Sequence, residues 1–106
     1  MVPFERGSAD CGQAIFTRAG CVGCHAVPGA GGTIGPDLGG VATRAVDRAA
    51  RLGLDGPREY FVQSIVTPHT HVVDGYMPVM FDWKQLRLTE QGLADLAAYL
   101  GTLSAP

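Results

Sequence analysis

"GCVGCH", residues 20–25, is the stretch on which the reading of this chain turns. Two thiols at C-x-x-C spacing can each add to one vinyl group of a haem, and the imidazole that follows directly is then placed to ligate the iron. Cys21 and Cys24 are therefore read as attachment points, and His25 as the first axial ligand. Two other readings suit the context less well. A thioredoxin-like redox pair wants a βαβ setting, and no strand pattern precedes Cys21. A zinc-stabilised module needs four ligands, and the remaining donors Cys11, His69 and His71 offer no second paired spacing beyond His-x-His.

Upstream, "SADCGQAIFTRA" (8–19) opens on Ser8 as a candidate cap. It places Cys11, Ala14 or Ile15, and Arg18 at helical spacing, ending at Gly20. Downstream, residues 26–40, "AVPGAGGTIGPDLGG", read as an irregular loop rich in Gly. Residues 41–51 are weakly helical and rich in Arg. "DGPREYFVQSIV" then offers Asp55 as N-cap with Pro57 in the first turn, and Pro68 as the stop. The segment "VVDGYMPVMFDW" (72–83) carries two of the three methionines in loop-like punctuation. The last element, capped by Thr89, places Leu93, Leu96, Ala97 and Leu100 in one stripe that Tyr99 extends.

No segment alternates convincingly as a strand, so the expected class is all-α, with short helices and long loops. One domain spanning 1–106, with its core at about 8–103, is all that 106 residues allow. Long loops in so small a chain bury little apolar surface against the entropy of ordering them, and a large apolar cofactor at the centre resolves that difficulty. A content of 46% hydrophobic and 17% charged residues fits a compact globule, and a net charge of −2 with mixed signs gives no footprint for nucleic acid. No apolar run is long enough to span a bilayer, and the N-terminus lacks the pattern of an export signal. A mature form, or a domain excised from a larger membrane-anchored protein, is the expectation.

A haem held this way makes four demands on the chain. The proximal imidazole needs an acceptor for its other nitrogen. In "GPDL" (35–38), Gly35 permits close approach and the Pro36 carbonyl is the expected partner of His25 Nδ1. The iron needs a sixth ligand, for which Met77 and Met80 are the downstream thioethers. The ring needs apolar walls, expected from Leu38, Ile65 and Phe81. The propionates need donors, with Arg44, Tyr60, Trp83 and Lys84 as candidates.

The order "GQAIF…GCVGCH…GPDLGG…SIVTP…GY.PVM…LT…LAAYL" resembles class I cytochromes c over residues 8 to 103. More narrowly, it is similar to the cytochrome c domains fused to subunit II of bacterial haem–copper oxidases. The resemblance implies N- and C-terminal helices that cross near Gly12, Phe16, Leu96 and Tyr99, a low-spin haem c with His and Met ligands, and electron transfer rather than enzymatic turnover. It also implies an extracytoplasmic setting, a redox partner such as a terminal oxidase or its donor, and membrane association only through a fused or missing anchor. In the family's G-Y-x-P-[VI]-M-P segment, Gly75, Tyr76, Pro78 and Val79 match. Met80 takes the ligand position, eight residues before Leu88, and Met77 the variable one. Phe81 stands where the family has proline, and the literal Met-Pro dipeptide belongs to Met77, so exchange between the two sulfurs stays open. The same loop keeps open a haem enzyme or a gas or redox sensor with a displaceable methionine. His69 and His71 read as solvated loop histidines, Cys11 as a small buried residue, and Arg44, Arg48, Arg51 and Arg58 as a solvated face. The partner surface is expected at the rim around Cys21 and Val22.

Overall fold

The computed structural model describes residues 7–27, 31–32, 34–35, 37–73, 75–77 and 80–103, with Val22 described by its backbone alone. They form four helices: α1 (Ala9–Arg18), α2 (Val41–Arg51), α3 (Pro57–Val66) and α4 (Glu90–Leu100). A single 3-10 turn, Cys21–Gly23, follows α1, and no strand forms among the described residues.

Helix α1 begins where Ser8 accepts a hydrogen bond from the Cys11 N–H at 3.2 Å, and it stops before Gly20, whose φ of 85° suits a residue without a Cβ. Its buried face is Gly12, Ile15 and Phe16. Cys11, expected inside, is exposed. At about 100° per residue, a stripe through 12, 15 and 16 turns position 11 outward.

Helix α4 begins at Thr89, whose hydroxyl accepts from the Gly92 N–H at 2.9 Å. It is buried along nearly its whole length, including the expected Leu93, Leu96, Ala97, Tyr99 and Leu100. The two helices cross in direct backbone contact. A Cβ built on Gly12 would strike the Asp95 carbonyl and lie 2.8 Å from Tyr99 Cβ. Beside that contact the rings of Phe16 and Tyr99 pack with centroids 5.5 Å apart. The crossing is also tied polarly. Buried Asp95 accepts from the Ser8 N–H and from Gln91 Nε2, each at 2.9 Å, so its carboxylate closes the start of α1 onto α4.

Helix α3 starts one residue later than the sequence suggests. Gly56, extended at φ −179°, occupies the cap position without a side-chain bond, and Asp55 stays outside. Pro57 then supplies a preset φ at N1, where no N–H is needed. Pro68 excludes the helical region for Thr67, which sits at φ −131°, and the helix ends at Val66. Helix α2 is capped from a distance: the Ala42 N–H donates to the Leu103 carbonyl at 3.0 Å, joining the start of α2 to the chain beyond α4.

Candidate haem site

The four helices close around an apolar cavity that opens to solvent, with about 920 Å³ of empty space once its mouth is included. Phe16 contributes from α1, Tyr60, Phe61 and Ile65 from α3, Leu96 and Leu100 from α4, with Leu38 and Val41 at the entry to α2. Cys21, His25, His71, Tyr76 and Met80 complete the lining from the connecting segments.

The attachment segment is shaped by the Gly-rich loop laid along it. The Gly35 N–H donates to the Cys24 carbonyl at 2.8 Å, and the Leu38 N–H to the Ala26 carbonyl at 2.7 Å. These bonds press Gly35 so close to the imidazole that an added Cβ would lie 2.5 Å from Cε1 and 2.8 Å from Nδ1 of His25. The expected close approach is therefore present. Pro36, expected to accept from His25 Nδ1, lies outside the described residues. Cys21 is half-buried and Cys24 exposed. Burial pushes the Cys21 thiol above its ordinary pKa, with the neighbouring Cys24 adding to the effect against one opposing backbone hydrogen bond.

The two methionines part company. Met80 is half-buried and lines the cavity, whereas Met77 is 73% exposed. Phe81, expected as a wall, is 62% exposed and absent from the lining. In non-helical chain an inward side chain at 80 sends its neighbour outward.

The polar candidates also separate. Tyr60 is buried in the lining, and its hydroxyl accepts from Arg48 Nη1 at 3.3 Å, with the guanidinium 5.9 Å from the ring centroid. Arg48, read as part of a solvated face, is thus half-buried in the cavity wall. Arg44 instead turns back on the preceding loop, donating to the Gly39 carbonyl at 3.0 Å and the Asp37 carbonyl at 2.6 Å. Trp83 packs against the core outside the lining, and Lys84 is exposed. Arg51 and Arg58 are exposed, as the solvated reading expects, Arg51 in an exposed pair with Asp47 at 2.9 Å. His71 is not a solvated loop residue: it is half-buried in the lining, its ring 6.2 Å from that of Tyr60. His69 is exposed, and its Nε2–H donates to the Met80 carbonyl at 3.1 Å.

Sequence reasoning passed over a further device beside Met80. Asp82 accepts from the Lys84 and Gln85 N–H groups at 2.9 Å each, and Gln85 Oε1 accepts from the Asp82 N–H at 2.9 Å. This is a capping box, and its D-x-x-Q signature was available in "DWKQ".

A thiol pair and an imidazole at the lip of an apolar cavity, with a thioether in its lining, fit a covalently attached haem. Among the described residues no group of three or more His, Cys, Asp or Glu converges as a metal cluster, so the zinc reading finds no geometry there. A small all-α shell of this kind defines a c-type haem protein. The profile of the family described as Cytochrome c matches residues 9–104, and the chain belongs to that family, as an electron carrier of class I type with covalent haem c and its iron as cofactor. A comparison with curated proteins finds no match.

Proposed function

We propose that this chain carries single electrons by way of one haem c with His25 and Met80 as axial ligands, Cys21 and Cys24 as thioether links, and Tyr60 with Arg48 facing a propionate. The observation that carries this reading is the shared cavity: His25, Cys21 and Met80 line one apolar space, and Met77 does not. Bound there, haem supplies one-electron chemistry between ferric and ferrous iron. The chain's own part is to hold and insulate. The Gly35 backbone sets the His25 ring by contact, Phe16, Phe61, Ile65 and Leu96 exclude water, and the thioether of Met80 favours the reduced state. With His25 and Met80 both holding the iron, electron transfer would be outer-sphere, across the rim near Cys21.

The narrower reading is a domain like those fused to subunit II of haem–copper oxidases, passing electrons to a terminal oxidase on the outer side of the cytoplasmic membrane. It rests on the motif order alone. No helix among the described residues is long and apolar enough to cross a membrane.

The test is the far-red sulfur-to-iron absorption band of the oxidised protein, in the parent and in Met77→Ala and Met80→Ala. The expected result is a band that survives the first substitution and vanishes with the second. A band absent from the parent, joined by rapid carbon monoxide binding to the ferrous form, would instead indicate a reactive open iron, as in a haem enzyme or gas sensor.

A further inference from the structure

Met80 forms part of a thin wall. One side of it belongs to the apolar cavity, and the other faces an open groove of about 670 Å³ lined by Val66, Pro68, His69, Asp82 and Gln85. A groove open to solvent thus separates the end of α3 from the Met80 segment. Among the described residues one polar contact bridges it: the hydrogen bond of 3.1 Å from His69 Nε2–H to the Met80 carbonyl. On the C-terminal side, Met80 is followed within two residues by the Asp82–Gln85 capping box, which fixes the chain through three hydrogen bonds of 2.9 Å. Among the described residues the Met80 side chain packs against the core, and its backbone is tied by the turn after it and by the His69 side chain across it.

We infer that His69 is a positioning residue for the sixth ligand: a latch that holds the Met80 backbone in register with the cavity and slows departure of its sulfur. The inference rests on the assignment of Met80 as ligand. The chemistry suits the task. A carbonyl offers only acceptance, so the imidazole must carry its proton on Nε2, and it reaches from the segment after α3, which Pro68 prevents from following the helix. An exposed histidine in this place adds nothing to the apolar core, so its loss should leave the global fold intact and act on the loop. An amide can present an N–H at a similar reach, whereas an aliphatic side chain of similar bulk cannot.

The experiment uses the haem-loaded oxidised protein and free imidazole as the probe. Imidazole can bind the iron only after the methionine sulfur has left, so at saturating imidazole the observed rate equals the rate of loop opening. In His69→Leu that limiting rate is expected to rise by several-fold to about tenfold, the span of one hydrogen bond. In His69→Gln it should return toward the parent value, and the denaturant midpoint should fall in His69→Leu by no more than the loss of one hydrogen bond. A limiting rate unchanged in His69→Leu, or raised equally in His69→Gln, overturns the latch. Met80→Ala distinguishes the two levels of the argument. If the sulfur-to-iron band survives Met80→Ala, ligand assignment and latch fall together. If the band is lost there but the His69→Leu rate is unchanged, the latch alone falls.

Discussion

At the crossing of α1 and α4, the backbone of Gly12 lies so close to Asp95 that one methyl group has no room. His69, Met80, Asp82 and Gln85, in contrast, border an open groove and are joined by hydrogen bonds that can be named one at a time. The two regions wall the same cavity by different physics. Steric fit at the crossing is non-directional and cumulative, so it fails only when the packing of the whole core fails. Individual hydrogen bonds in the loop contribute about 0.5–1.5 kcal/mol each, and any one can be removed while the rest of the molecule stays folded. Global stability belongs to the first region, and control of the ligand side to the second.

The sharpest way to break that division is Leu93→Ala. Leu93 is 3% exposed on α4 and outside the cavity lining, and its truncation should cost about 2–5 kcal/mol in denaturant unfolding, with the sulfur-to-iron band intact in the molecules that stay folded. A band that disappears well before the fold does would mean that the two regions are not separable. A step down in size is Gly35→Ala, which forces a methyl group against the His25 ring. A cost of about 1–3 kcal/mol is expected, read as a lower unfolding midpoint together with a perturbed haem spectrum. A loss of stability without a spectral change would place the strain in the loop rather than on the ligand. Smallest is Asp82→Ala, which removes the capping box for about 0.5–2 kcal/mol and should speed amide exchange at Lys84 and Gln85 while the amides of α4 hold their protection. Equal acceleration in α4 would erase the contrast.

What could be read from the sequence follows the range of the forces involved. The helices announced themselves because Ser8, Pro57, Pro68 and Thr89 act on neighbours within a few residues. The attachment motif was legible for the same reason, and the close approach at Gly35 followed from it. The sites of misreading or omission are mostly those where a distant partner decides. Arg48 looked solvated until Tyr60 was brought across to it, and His71 until the cavity wall formed around it. His69 gave no local sign of reaching Met80. Asp55 and Cys11 are errors of another kind, a register shift of one residue that local patterns tolerate and a helix does not. The D-x-x-Q box was local and readable, and was obscured by the methionines beside it.

The contact at Gly35 has a consequence for thermal motion. A ring that leans on a side chain is exposed to that side chain's hops between rotamers, which run on a picosecond-to-nanosecond scale at exposed positions. His25 leans instead on a residue that has no χ angle, stitched to the attachment segment by the bond from its own N–H to the Cys24 carbonyl. Little side-chain entropy is spent at that face of the ring, and there is no alternative rotamer there for it to follow. The plane of the imidazole is thereby coupled to the main chain itself, so its librations are those of the backbone.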